Sequence, residues 1–398
     1  MYENKEPRIY MANLEEIMSG EATDIYFKRT KEVLEKAGLT DVKVRMEVHL
    51  YGKPPEGRDW AVYAGLEEAI ALLKDKPFTL YSVPEGTIFT RKMPLMIVEG
   101  KYLDFVLLEA PLLGLLRFSS SIATKAASLK KVIGDKLLLF FGIRALHPAV
   151  FPAADRAAYI GGADSISGVL SEKYLGLKPQ GTMPHALILV FGDQKEAWKW
   201  FAKVYEGKIN LVALTDTLDD ERKEALMAAQ VFGDKLWGIR LDTPASRRGN
   251  MRDIVEEIRW TLDLNGFKHV KIIVSGGLDE SSIANLRDIV DGFGVGTSIA
   301  MAPSVDLSMD IVEIDRGKGW EPYTKRGKLP GAKKVYSCKP LEYYIKYWND
   351  NELPNCINKE DKPINLMKKY IDNGKLVETL PSLNEIRKYV LSQLPYTT

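Results

Sequence analysis

Two carboxylates, two arginines and two glycine-rich turns recur in this chain at the ends of short apolar segments, and that setting limits the chemistry they can do. Leu137 to Phe141 runs into Gly142-Ile143-Arg144, and Asn210 to Leu214 runs into Thr215-Asp216-Thr217. Leu236 to Leu241 carries Arg240 and ends in Asp242-Thr243. Val270 to Ile299 reads as a buried strand, a Ser275-Gly276-Gly277 turn, an amphipathic helix and a second turn, Gly294-Val295-Gly296-Thr297. Glycine lets a backbone approach an anion closely and adopt positive φ, while Ser275 and Thr297 add hydroxyl donors, so both turns suit a phosphate. Either acid alone suits the N-cap of a following helix. Together, the acids, arginines and turns suit an anionic sugar phosphate with a divalent metal.

The four histidines divide by setting. His49 falls within an alternating strand and His269 just before a buried one, which suits structural or exposed roles. His185 sits in Gly181-Thr182-Met183-Pro184-His185-Ala186, a loop leading into the apolar segment Ala186 to Phe191, where an imidazole would face the same rim. His147, close behind Arg144, is a second and weaker candidate.

Positioning these groups requires strands whose carboxyl ends converge. Leu137 to Phe141, Ala163 to Ile166, Asn210 to Leu214, Leu236 to Leu241, Lys271 to Val274 and Gly292 to Val295 read as buried strands. Helical patterns at Gln194 to Tyr205, Asp220 to Gln230, Arg252 to Asn265 and Ser281 to Val290 separate several of them. Such alternation predicts a parallel sheet, closed or nearly closed into a barrel, with an open doubly wound sheet as the alternative. Upstream, Glu21 to Ala37 and Trp60 to Leu73 read as helices, and Val42 to Leu50, Phe78 to Phe89 and Leu95 to Val98 as strand-forming, which predicts an α+β domain with a mainly antiparallel sheet. A long helical stretch, Tyr102 to Val132, contains Ser119-Ser120-Ser121. After Pro303, Met309 to Ile314 is a strand, Tyr323 to Lys334 is basic and glycine-rich, Lys339 to Ile364 is polar and loop-like, and Leu383 to Leu394 is an amphipathic helix. The expected division is an N-terminal α+β domain over 1–115, an α/β barrel catalytic domain over 116–303, and a small C-terminal region over 304–398 packing on both.

Composition narrows the partners. With 398 residues, 45% hydrophobic and 27% charged, the chain suits an ordinary soluble protein of more than one domain. A net charge of +1 argues against nucleic acid or a membrane surface, and small molecules are the expected ligands. The N-terminus lacks the basic and apolar regions of a signal peptide and no apolar run spans a bilayer, so a cytoplasmic location is expected. The two cysteines, Cys338 and Cys356, are too few for a disulfide framework or a four-cysteine zinc site, leaving a mixed Zn²⁺ site as the remaining metal option.

The motifs Phe141-Gly142-Ile143-Arg144, Gly181-Thr182-Met183-Pro184-His185, Arg240-Leu241-Asp242-Thr243, Ser275-Gly276-Gly277-Leu278-Asp279 and Gly294-Val295-Gly296-Thr297 occur in an order that resembles the nicotinate phosphoribosyltransferase family. Thr23-Asp24-Ile25-Tyr26 is similar to that family's TDxY element, and Gly327-Lys328-Leu329-Pro330-Gly331-Ala332-Lys333 to its GKxPGxK segment. The resemblance implies a type II phosphoribosyltransferase: an irregular (β/α) barrel joining nicotinate to 5-phosphoribosyl 1-pyrophosphate, with release of pyrophosphate. It implies Mg²⁺, ATP as co-substrate through phosphorylation of His185, and a homodimer or higher homo-oligomer with shared active sites, Tyr26 reaching the partner's base. By the same resemblance Phe141 stacks on the pyridine and Arg144 meets its carboxylate or the phosphate. Asp242 holds the ribose, Asp216 places Mg²⁺ and pyrophosphate, and Ser275, Gly276, Gly277, Gly294, Gly296 and Thr297 hold the 5′-phosphate.

Departures stand beside the likeness. Ala145 follows Arg144 where many relatives have a second arginine, and Asp242-Thr243-Pro244-Ala245 replaces the usual DSGD, so Arg247 or Arg248 becomes a candidate for pyrophosphate. A quinolinate phosphoribosyltransferase, which adds a decarboxylation, is the nearest rival, and a nicotinamide-specific enzyme is a further one. A phosphosugar aldolase or isomerase barrel lacks a lysine suitably placed for a Schiff base. A non-catalytic binding protein would not need so ordered a polar rim.

Overall fold

Alternation along Lys43–Leu50 turns Val44, Met46, Val48 and Leu50 into a common core with Phe78, Leu80, Ile97, Leu112 and Leu116. The computed structural model describes residues 7–247 and 249–397, in two compact units, residues 1–121 with 303–398 and residues 122–302. The first unit carries a seven-stranded antiparallel sheet in the order Glu321–Pro322, Leu307–Asp315, Lys43–Leu50, Pro94–Lys101, Thr79–Ser82, Lys368–Asp372 and Lys375–Leu376. Strands from beyond residue 303 thus form both of its edges. The other face of Lys43–Leu50 is charged yet covered. Arg45 lies 2.7 Å from both Glu99 and Glu313 under the Trp320 ring, Glu47 lies 3.0 Å from Lys333, and His49 lies 3.2 Å from Asp310. Lys328 also reaches Asp310, at 3.0 Å, so lysines of the Gly327 to Lys333 segment neutralise buried acids of this sheet.

Several sequence expectations change here. Trp60 to Leu73 is not one helix: Trp60–Val62 pairs with Ile88–Thr90 as a strand, and Leu66–Leu73 begins the helix after Gly65 at φ 96°. The aromatic and branched residues before Gly65 favour a pleated surface, and the glycine permits the left-handed turn between the two. The long helical stretch is a single turn, Tyr102–Phe105, followed by Glu109–Ile133. Two of its serines serve backbone: Ser120 Oγ accepts from Ala64 N at 3.0 Å and Ser121 Oγ from Val305 N at 2.8 Å. The polar stretch after Lys339 contains the strand Glu342–Tyr347, paired with Lys333–Lys339. Beside that hairpin Cys338 and Cys356 are joined in a disulfide with Cα atoms 5.7 Å apart. One bridge therefore stands where a zinc site was the remaining option, and neither sulfur is a free thiolate ligand. The last helix, Leu383–Gln393, packs Ile386 and Val390 against the Gly86 turn, and its Gln393 side chain bonds Ile88 N and Gly86 O at 2.9 Å each.

In the second unit, buried runs without alternation form a five-stranded parallel sheet: Leu137–Phe140, Gly292–Val295, Lys271–Ser275, Gly238–Leu241 and Val212–Leu214. Phe140 is level with Val295, Gly294 with Ser275, Val274 with Leu241, and Arg240 with Leu214, so the carboxyl ends share one edge. Helices Gln194–Tyr205, Glu221–Phe232, Met251–Leu264 and Glu280–Leu286 supply crossovers. The expected strand Ala163 to Ile166 is reduced to a single parallel bridge between Ser165 and Leu139. Among the described residues no helix is long and apolar enough to cross a membrane.

Candidate active site

The carboxyl edge of the parallel strands opens onto a cavity of about 630 Å³. Phe141 and Arg144 line it from the first strand, Arg240 and Asp242 from a second, and Ser275, Gly276 and Gly277 from a third. Gly294, Gly296 and Thr297 close that side, while Ser167, Gly181 and Thr182 come from loops. The Phe141 ring lies directly against Gly294, where a Cβ would meet it at 2.7 Å and Ser275 Cβ at 2.9 Å. The Arg240 guanidinium stands 5.8 Å from the centre of that ring. It donates to Thr182 Oγ1 at 2.5 Å and lies 3.2 Å from Asp242 Oδ2. Asp242 Oδ1 accepts from Ser275 Oγ at 2.7 Å, and Gly276 passes it at φ 88°, close enough that a Cβ would sit 3.2 Å from that carboxylate.

Behind the wall lies Asp216, whose side chain is 1% exposed. Its Oδ2 accepts from Asp242 N at 2.5 Å, and its Oδ1 lies 3.1 Å from His185 Nε2. The Thr243 hydroxyl stands 3.1 Å from Asp216 Oδ2 and 2.9 Å from Glu221 Oε1, so its one proton serves one of the two. Neither acid is a helix cap: the helices that follow are capped by Asp220 and Asn250. The loop after Asp216 is fixed by Glu224, a fully buried carboxylate that accepts from the amides of Thr217, Leu218 and Asp219 and from Gln194 Nε2. With four donors this carboxylate is satisfied and the loop is held. Asp220 caps the following helix through Lys223 N, and Glu224 stands one position beyond the capping-box place, so no short motif marks it.

The cavity thus brings together Phe141, Arg144, Arg240, Asp242 and both glycine turns. His185, first residue of the helix His185–Phe191, and Asp216 and Thr243 stand one layer back. The apolar segment after His185 is that helix. Arg247 is exposed in a turn beyond Pro244, and Arg248 lies outside the described residues. His147 Nδ1 accepts from Ala149 N at 3.2 Å as a cap and does not line the cavity. Tyr26 belongs to the first unit, 57% exposed on the helix Ile25–Lys36, and the two cysteines belong to that unit as well. Ser167 is a lining residue that no motif singled out.

A parallel unit that opens its strand ends onto such a cavity, in one chain with an antiparallel unit, has the architecture of the type II phosphoribosyltransferases. Residues 24–120 and 122–310 match the family models of the quinolinate phosphoribosyl transferase N-terminal and C-terminal domains. A nicotinate phosphoribosyltransferase of Bacillus subtilis is 32% identical over 360 residues, covering 79% of this chain and 72% of its own length. The solved nicotinate-nucleotide pyrophosphorylase from Pyrococcus furiosus matches with a TM-score of 0.93 at 46% identity, covering 98% of both chains. Human nicotinic acid phosphoribosyltransferase shares the fold, with a TM-score of 0.76 at 21% identity over 94% of this chain and 93% of its own. The chain belongs to the nicotinate phosphoribosyltransferase family.

Proposed function

We propose that this enzyme transfers the 5-phosphoribosyl group of 5-phosphoribosyl 1-pyrophosphate to nicotinate. The C1–O bond to pyrophosphate breaks, its electron pair leaves with pyrophosphate, and the pyridine nitrogen forms the new bond at C1. The observation that carries this reading is one cavity holding an arginine, an aromatic ring and two glycine turns. Arg144 suits the carboxylate and Phe141 the face of the ring, which fixes the attacking nitrogen. The turns at Gly276 and Gly296 suit the 5′-phosphate, and Asp242 the ribose hydroxyls of a transition state with positive character at C1. Among the described lining residues the cations are Arg144 and Arg240, and Arg240 is already engaged by Thr182 and Asp242. One uncommitted arginine favours a substrate with a single carboxylate over quinolinate. The name of the Bacillus subtilis relative supports the same choice.

ATP enters this proposal as co-substrate: with Nε2 facing Asp216, Nδ1 is the ring nitrogen left to accept a phosphoryl group. Asp216 does not fit as an Mg²⁺ ligand, because its side chain is 1% exposed behind the cavity wall and is turned to His185 Nε2 and Asp242 N. Mg²⁺ enters instead with pyrophosphate, the usual way this ion is held beside substrate phosphates. The test offers nicotinate, nicotinamide and quinolinate separately with 5-phosphoribosyl 1-pyrophosphate and Mg²⁺, with and without ATP. Nicotinate turnover is expected, and turnover of quinolinate alone overturns the reading.

A further inference from the structure

Thr243 stands between two acids and has one proton to give them. Its hydroxyl lies 2.9 Å from Glu221 Oε1 and 3.1 Å from Asp216 Oδ2, and the residue is buried. The two carboxylates differ in what else reaches them. Asp216 Oδ2 already accepts from Asp242 N, and Asp216 Oδ1 faces His185 Nε2 at 3.1 Å. Glu221, first residue of the helix Glu221–Phe232, has the Thr243 hydroxyl as its hydrogen-bond donor. Among the described residues no lysine, arginine or histidine forms a salt bridge with it. Asp220 caps that helix, so the Glu221 carboxylate is not engaged as the cap. A hydroxyl between two anions turns to the one that is nearer and lacks other donors, which here is Glu221. The consequence falls on the imidazole, because a carboxylate that also accepted from Thr243 would offer His185 less charge.

We propose that Glu221 is a positioning residue for His185: by drawing the Thr243 proton to itself, it leaves the whole Asp216 charge to the ring. The inference rests on the reading of His185 as phosphoryl acceptor. An undiminished carboxylate at Nε2 keeps the ring proton on that nitrogen and leaves the Nδ1 lone pair bare. It also supports the positive charge the ring gains when Nδ1 bonds to the γ-phosphorus of ATP, the bridging P–O bond breaks and its electron pair leaves with ADP. Glu221 acts through Thr243 and Asp216, not on the reacting atoms themselves.

The test uses the full chain as wild type, Glu221→Gln, Thr243→Val and the double variant. Two quantities are read: the rate at which ATP labelled in its γ-phosphate phosphorylates His185, and the tautomer of the His185 ring, from its nitrogen resonances at a pH where the ring is neutral. Glu221→Gln leaves a neutral acceptor, so the Thr243 proton turns to Asp216. Phosphorylation is expected to slow about fivefold, and the share of Nε2–H tautomer to fall. Adding Thr243→Val removes the hydroxyl that now occupies Asp216 and recovers most of both losses. A merely structural role for Glu221 gives no such recovery, since independent losses add. An unchanged rate and tautomer in Glu221→Gln, or a double variant no better than Glu221→Gln, overturns the assignment. A wild type that ATP does not phosphorylate ends the reading of His185 as acceptor, while the tautomer measurements still decide whether Glu221 governs the ring.

Discussion

At Asp216 the difference between a capping acid and a working one is settled by its partners. An N-cap would spend the carboxylate on the next helix, but here it faces Asp242 N, the Thr243 hydroxyl and His185 Nε2. Removing it leaves buried donors unmatched, at about 1–3 kcal/mol for each. Asp216→Ala is therefore expected to lower kcat/KM by about 100-fold and to abolish any stimulation by ATP, as His185→Ala should. Initial rates with and without ATP check this; stimulation surviving in Asp216→Ala would mean that the histidine does not depend on its carboxylate. The residue types were legible in advance because both acids follow apolar strands. Their partners were not, because His185 and Asp216 are 31 residues apart and meet through the fold.

Among the elements, the strand ends were read with most success. Short apolar runs broken by Gly142, Asp242, Gly276 and Gly296 carry their own punctuation, and the structure turns at each. Gly294 has a second reason for being glycine: the Phe141 ring occupies the space of a side chain. Gly294→Ala is expected to displace that ring, lowering kcat/KM for nicotinate at least tenfold, while overpacking costs about 1–3 kcal/mol of stability. Steady-state kinetics beside a thermal melt separate the two effects; full activity in Gly294→Ala would show that the ring's position is not needed. Elements were misread where local pattern was ambiguous. Trp60 to Leu73 has helical spacing throughout, yet pairing with Ile88–Thr90 draws its first residues into a strand. Ala163 to Ile166 has apolar residues only at its two ends, and the Asp155 clamp turns the chain away within a few residues.

For the whole molecule, pH and assembly provide the tests. Burial, helped by the nearby Asp310 charge and opposed by Lys325, pushes the Glu109 carboxyl in the first unit from 4.5 up to about 7. A raised carboxyl favours folding while it is protonated, so its contribution is full below about pH 4.5 and is lost as pH rises through 7. Glu47, raised by burial against the pull of Lys333, acts in the same direction. Burial would raise Asp310 too, but hydrogen bonds from His49, Lys325 and Lys328 outweigh it, so Asp310 acts only in strong acid. Glu109→Gln should accordingly melt higher than the wild type at pH 8 and lose that advantage at pH 5. Equal melting curves at pH 8 would contradict the buried charge. Tyr26, exposed on the first unit, is the residue proposed to serve a partner's site. Mixing Tyr26→Ala with Asp242→Ala chains should restore about a quarter of the activity if sites are shared across a dimer. No recovery on mixing would argue against shared sites.

The amino-acid order by itself determined the class: buried strands alternating with helices, strand-end glycines, and acids and arginines placed beside them. These are local periodicities, and neighbours along the chain settle them. Tertiary structure alone decided which groups meet. It set Lys328 and Lys333 against Asp310 and Glu47, joined Cys338 to Cys356, moved Asp216 behind the cavity wall, and set the Thr243 hydroxyl between Asp216 and Glu221. The physical reason is that a buried polar group must find a partner wherever packing brings one, and packing joins residues that no sequence window contains.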